Sequence, residues 1–217
     1  SLDVSNNSML TGLSLYDNYL TSLDVSNNTM LIYLNCDSNA LTILDFSNNT
    51  KLQTLYCSNN DLAVLNMRNG ANHLILPEDP LYPDPFFISY GNPNLTCITV
   101  DNEAYSNANW LYKDAHTSFS ETTCTRFVPD DNFEQALIDL GYDTVLDDQV
   151  EAANIFLVTS LDVNNKGILD LTGIEGFVSL TNLNCSANNL EILNLNNNTK
   201  LNSLNASNNE LHFFTFK

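Results

Sequence analysis

Positive charge is scarce in this chain. Lysine and arginine together number 7 against 26 acidic residues, and the formal net charge is -19. Such a chain has no basic face to neutralise phosphates, which argues against nucleic acid as a partner. It would also be repelled by an anionic membrane surface. Long apolar runs are missing too. None reaches the roughly 18 residues of a membrane helix, so direct membrane insertion is not expected. The opening SLDVSNNSML has neither the basic nor the apolar stretch of a signal peptide. Catalytic signatures are equally absent: GxSxG, HExxH, the Walker loop and GxGxxG do not occur. His73, His116 and His212 pair with no motif nucleophile, and nothing supports a carboxylate pair for glycoside hydrolysis. An enzyme would need a catalytic domain outside this sequence.

What the chain does have is repetition. One leucine recurs at Leu2, Leu13, Leu23, Leu34, Leu44, Leu55 and Leu65, at spacings alternating between 11 and 10. An asparagine follows five residues after each of the first six, at Asn7, Asn18, Asn28, Asn39, Asn49 and Asn60. A second apolar residue follows each leucine by two, as Val4, Leu15, Val25, Cys36, Phe46, Cys57 and Met67. The period is therefore 21, built of two similar halves. One half reads LxxLxLxxNxL, as in LTGLSLYDNYL, LIYLNCDSNAL and LQTLYCSNNDL; the other reads LDVSNNT. Both return near the end as LTNLNCSANNL, LNLNNNT and LNSLNASNNEL. One such turn cannot bury its apolar face alone, so neighbouring turns must stack.

This pattern resembles the bacterial leucine-rich repeat family, in its short nested 21-residue subclass. The resemblance covers residues 1–70 and 158–217 directly. It implies a leucine-rich repeat solenoid, mainly β, with short parallel strands on a concave face and little helix. With so short a period, the convex side is expected to hold extended or tightly turned segments. The resemblance also implies that Asn18, Asn39, Asn60, Asn188 and Asn209 form a structural ladder, capping the bend through main-chain bonds.

The chain is expected to hold two arrays with capping elements between them. Residues 1–70 are the C-terminal part of a first array. Residues 71–126 are a proline-rich insertion (71–94, with five of the six prolines) followed by a C-terminal cap through Trp110. Residues 127–157 resemble a helical N-terminal cap. Asp130 or Asp131 is its N-cap, Phe133, Ala136, Leu137 and Leu140 share one face, and Gly141 stops the helix. Residues 158–217 begin a second array. Both outer ends fall inside a repeat, so the chain is expected to be a junction between tandem repeat domains of a longer protein.

Candidate chemistry is sparse. Cys36, Cys57 and Cys185 take the inward strand position and read as buried free thiols behaving as small hydrophobes, not metal ligands. Cys97 and Cys124 flank the cap and are the disulfide candidate, which suits an exported protein. Asp130, Asp131, Glu134, Asp139, Asp143, Asp147, Asp148 and Glu151 could hold calcium, but they lack the EF-hand spacing and nothing else in the sequence supports it. They are expected to form a solvated helix face with an N-cap, and no cofactor is expected. Asp143-Thr144-Val145 resembles the short O-glycosylation motif of some Gram-negative bacteria.

Strand alternation sends the residues beside each leucine outward. In the first array these are Gly12, Ser14, Tyr16, then Tyr33, Asn35, Asp37, then Thr54, Tyr56, Ser58. Tyr16, Tyr33 and Tyr56 are expected to cluster across three turns beside Asp37 as a binding site on the concave face. Exposed tyrosines make good anchors, although tyrosine also suits strands for packing alone. In the second array the same positions hold Ser160, Asp162, Asn164, Asn182, Asn184, Ser186, Ser203, Asn205 and Ser207, a polar surface. The resemblance implies a non-enzymatic protein-binding and scaffolding role at the cell surface of a Gram-negative bacterium, as a subunit of or accessory to a surface complex. A glycan-binding adhesin or a structural spacer is the alternative.

Overall fold

The computed structural model describes residues 2–76 and 85–216. The chain forms two compact units that divide between Thr123 and Cys124.

The first unit is built from very short strands in alternation. In chain order they are β1 (Gly12–Ser14), β2 (Tyr33–Asn35), β3 (Ile43–Asp45), β4 (Thr54–Tyr56), β5 (Val64–Asn66), β6 (Phe87–Ile88), β7 (Cys97–Thr99) and β8 (Ser118–Ser120). Strands β1, β2, β4 and β6 form one parallel sheet, and β3, β5, β7 and β8 form another. Each half of the 21-residue period therefore lays down its own strand. The half expected as extended or turned is a second ladder, for the same reason as the first. Leu44 and Phe46 alternate inward as Leu34 and Cys36 do, and all four are at most 1% exposed. In-register columns of side chains make up the core. Leu34, Leu55 and Phe87 stack from one sheet, and Leu44, Leu65, Ile98 and Phe119 from the other. Full burial of each such side chain stabilises by about 1.5–3 kcal/mol.

Asparagines tie one turn to the next. The Asn60 amide donates to the carbonyls of Cys36 (3.0 Å), Cys57 (3.3 Å) and Ser58 (3.1 Å), and its oxygen accepts the Leu41 N–H at 3.0 Å. Asn39 repeats this one turn earlier, donating to Leu15, Cys36 and Asp37 and accepting from Leu20. The Asn18 side chain bonds only within its own turn. In the second ladder Asn49 donates to Val25 and Asn28. The residue before each first-ladder asparagine lies in the left-handed region: Asp17, Ser38, Asn59 and Gly91 have φ between 51° and 73°. That turn aims the carbonyls at the asparagine, and Gly91 meets the requirement without a Cβ penalty.

The ladders run past residue 70. Phe87 and Ile88 extend the first sheet, and Asn92 donates to Cys57 and Ser89 as the next member of the asparagine ladder. The segment expected as an insertion thus contains a further turn of the array; its residues 77–84 lie outside the described residues. The far end is covered by aromatic packing. Helix α1 (Glu103–Asn109) is capped by Asn102, whose side chain accepts the Tyr105 N–H. Trp110 follows it, buried, stacked on Phe87 at 4.5 Å and edge-on to Phe119 at 5.8 Å.

The second unit opens with β9 (Thr125–Phe127), α2 (Asp131–Asp139), β10 (Gln149–Glu151) and α3 (Ala152–Ile155), with β9 and β10 antiparallel. Asp130 is the N-cap of α2, accepting the Phe133 N–H at 2.9 Å. Gly141, at φ 80°, ends the turn that follows the helix, and the Tyr142 N–H reaches back to the Leu137 carbonyl. Phe133, Ala136 and Leu137 are buried as the helical spacing predicts. Leu140 is 45% exposed because it sits past the last turn. Two parallel ladders then resume: β11 (Ser160–Asp162), β12 (Asn182–Asn184) and β14 (Ser203–Asn205) in one, β13 (Ile192–Asn194) and β15 (Phe213–Thr215) in the other. Asn188 donates to Val163, Cys185 and Ser186, and Asn209 donates to Cys185, Ala206 and Ser207.

Cys36, Cys57 and Cys185 are free and buried in the inward columns. Burial pushes all three thiols up, Cys185 to about 11 and the other two further. The thiolate is the reactive form. Native protein at mildly alkaline pH is therefore expected to leave these three unalkylated for hours, and denaturant to expose all of them, as counted by mass spectrometry. A native thiol reacting at the rate of an unstructured peptide would contradict this.

Candidate functional site

The outer face of the first sheet in the first unit is assembled column by column. Gly12, Tyr33 and Thr54 are in register, and so are Ser14, Asn35, Tyr56 and Ile88. A bridge from Ile88 to Tyr112 extends the second column by one more turn. Beyond the strands, the N–H groups of Asp17, Ser38 and Asn59 bond the carbonyls of Asp37, Ser58 and Tyr90. A third column therefore holds Tyr16, Asp37, Ser58 and Tyr90.

The fold brings Tyr33 and Tyr56 together, ring centroids 5.9 Å apart and nearly perpendicular, the edge-to-face arrangement that aromatic quadrupoles prefer. Tyr16 is separate: it is 59% exposed, in the column of Asp37 and not in those of the pair. Asp37 is half-buried, and its Oδ1 accepts the Ser58 N–H at 2.5 Å and the Ser58 hydroxyl at 2.8 Å. Burial raises its carboxyl above the usual aspartate range, against the lowering effect of those two bonds. Ser58, expected to face outward, is only 2% exposed because it lies against Asp37.

Three residues of this face escaped the repeat pattern: Ile88, Tyr90 and Tyr112. Tyr90 is 44% and Tyr112 37% exposed. A usable signal was present, since Phe87 precedes Asn92 by the same five residues that separate Leu55 from Asn60. The corresponding face of the second unit is polar. Asp162, Asn184 and Asn205 are in register, and each accepts the N–H of the residue two further on.

Elsewhere, Cys97 and Cys124 are both disulfide-bonded. Thr144 is exposed. The acidic cluster is not wholly a solvated helix face: Asp130 caps α2 and Asp139 pairs with Lys166 at 2.9 Å, but Glu134 is fully buried. The helix turns Glu134 toward the loop beyond its C-terminal end, where it accepts the Asp147 and Gln149 N–H groups.

No protein-family model matches the chain. Internalin J of Listeria monocytogenes serotype 4b (strain F2365) is 33% identical over 104 residues. The fold is a leucine-rich repeat solenoid, built on its parallel strand ladders and asparagine ladder. The match covers 48% of this leucine-rich repeat chain and 11% of that relative's length. Among solved structures, the functional domain of InlJ from Listeria monocytogenes, described as including a cysteine ladder, is 23% identical. It covers 95% of this repeat protein and 46% of that chain, with a TM-score of 0.34. An internalin, InlF, from Listeria monocytogenes str. 4b F2365 is 18% identical and covers 98% of this protein and 62% of that chain, with a TM-score of 0.29. TM-scores this low add no weight to the fold, which rests on the ladders themselves.

Proposed function

We propose that this leucine-rich repeat protein is a non-enzymatic binding protein that recognises a protein partner through the outer face of its first sheet. The observation that carries the reading is the Tyr33–Tyr56 edge-to-face pair beside the half-buried Asp37 carboxylate. Tyr16, Tyr90 and Tyr112 extend the aromatic area over neighbouring columns. Tyrosines on a rigid parallel sheet lose little conformational freedom on binding, and aromatic anchors dominate many interfaces. Asp37 would accept a donor from the partner, a lysine or arginine in keeping with the chain's acidity. The disulfide-bonded state of Cys97 and Cys124 supports an extracellular or cell-surface setting, where such bonds persist. A place in or beside a surface complex fits the same reading. A Gram-negative host rests on the Asp143-Thr144-Val145 motif alone, and a glycan on Thr144 would be read as added mass on its peptide.

The test compares wild type with a variant carrying Tyr33→Ala, Tyr56→Ala and Tyr90→Ala. Affinity capture from the native cell envelope should recover a stoichiometric protein with wild type and lose it with the triple variant. These side chains lie outside the core, so the variant should unfold within a few degrees of wild type. Undiminished capture by a folded variant would rule this face out. Binding on a glycan array, lost in the same variant, would instead make the tyrosines a stacking platform for sugars.

A further inference from the structure

A group of carboxylates in the second unit is arranged for a task that the recognition face does not require. Glu134 from α2, and Asp143 and Asp147 from the loop between α2 and β10, each bring one carboxylate oxygen to within 4.8 Å of the others. Glu134 is 0% exposed. Its Oε1 is fully occupied, accepting the N–H of Asp147 at 2.9 Å and of Gln149 at 3.1 Å. Its Oε2 is buried and has no hydrogen-bond partner. Asp143 repeats the arrangement: Oδ1 accepts the Thr144 N–H at 2.7 Å, and Oδ2 is buried with no partner. Asp147 Oδ1 accepts the Gln149 N–H at 3.2 Å.

Each carboxylate is thus anchored to the main chain by one oxygen, and two of the three keep a buried oxygen unused. Holding the loop explains Glu134 Oε1 but not Oε2. A buried anionic oxygen without a partner is costly, and carboxylates brought this close repel one another. The cationic side chain of Lys166 is engaged elsewhere, on Asp139. A bound cation would satisfy the unused oxygens and cancel the repulsion together.

We infer that Glu134, Asp143 and Asp147 form a calcium site that fastens the α2–β10 loop to the helix capping the second array. The donors are all hard oxygens, which suits calcium or magnesium and disfavours the softer transition metals. Calcium accepts a flexible shell with donors from a helix and a loop, whereas magnesium demands near-ideal octahedral geometry and is seldom held by protein ligands alone. Water and loop carbonyls would complete the shell. Spacing explains why no motif announced the site: one ligand comes from a helix and two from a loop, outside any EF-hand register.

The test uses the whole 217-residue chain, stripped with chelator and titrated with calcium chloride by calorimetry and by thermal unfolding. One calcium per chain is expected, with a Kd on the order of 0.1–1 mM as in extracellular modules, and a rise of several degrees in the unfolding of the second unit. Magnesium should bind at least tenfold more weakly. Glu134→Gln keeps an acceptor for both loop amides and should weaken calcium binding at least tenfold. Asp143→Asn, at a partly exposed position, should do the same and keeps the test sound if the first variant unfolds. Asp131→Asn, on the exposed first turn, should change nothing. Absence of binding and of stabilisation would overturn the site. Binding equally strong in both variants would also overturn it, as calcium gathering elsewhere on an acidic surface. An equal response to magnesium would overturn the assignment to calcium.

Discussion

Asn60→Ala is expected to destabilise the first unit by about 3–5 kcal/mol. The side chain is 4% exposed and holds three carbonyls and one N–H across two turns. Deleting it orphans the Leu41 N–H where water cannot reach, at about 1–3 kcal/mol, and removes one of two donors from each carbonyl, at about 0.5–1.5 kcal/mol apiece, since Cys36, Cys57 and Ser58 keep the bonds from Asn39, Asn92 and the Ser38 N–H. The total stays below the simple sum because a water can enter part of the space the amide vacates. Asn18→Ala is the control. Asn18 is exposed and its side chain bonds only the carbonyls of Leu15 and Tyr16, so water replaces it at about 1 kcal/mol or less. Urea unfolding of the two variants should separate them clearly. Equal losses would mean that the ladder works through backbone conformation and not through buried bonds.

Trp110→Ala should cost a similar amount, about 3–5 kcal/mol, the usual range for deleting a large buried aromatic. Its ring stacks on Phe87, meets Phe119 edge-on, and donates its indole N–H to the Ile75 carbonyl at 3.3 Å. The loss should fall on the first unit alone, because every one of those partners belongs to it. Trp110→Phe keeps most of the apolar contact and gives up the N–H bond, which predicts a loss of about 1–2 kcal/mol. Trp110 is also the chain's single tryptophan. Its fluorescence in wild type therefore reports the first unit, while circular dichroism follows both and must carry the measurement in the variants. A loss in Trp110→Ala no larger than that in Trp110→Phe would show that the stack contributes little.

The ladders could be read from the sequence because each depends on a local rule repeated at fixed spacing. Leucine at one position and asparagine five later mark a strand and its bend, whatever the rest of the turn contains. The second strand ladder was harder to see. LDVSNNT has the composition of a turn, and its strand character comes only from stacking on identical neighbours. The turn through Phe87 and Asn92 was hidden for another reason: intervening residues shift it out of period, and phenylalanine and serine replace the usual leucine and cysteine. Losing that turn also lost Ile88, Tyr90 and Tyr112 from the candidate face. Tyr16, Tyr33 and Tyr56 could be counted as outward, but only the register shows that two of them touch while the third lies in another column. Glu134 looked like an ordinary solvent-facing helix residue. Its burial depends on the loop folding back over α2, a long-range event that helical spacing cannot reveal.

The spacing of the asparagine bonds in the first array bears on how such chains change over generations. Asn60 accepts from Leu41, 19 residues before it, whereas Asn92 accepts from Leu62, 30 residues before it, through the same oxygen and at the same 3.0 Å. Roughly half a repeat of extra sequence has entered one turn, yet strand register and asparagine bonding continue on both sides. The wall of a turn is thus a splice-tolerant position: added length there does not displace the next turn. Lineages sharing this scaffold can diverge by acquiring peptides at such points while the leucine and asparagine columns stay fixed.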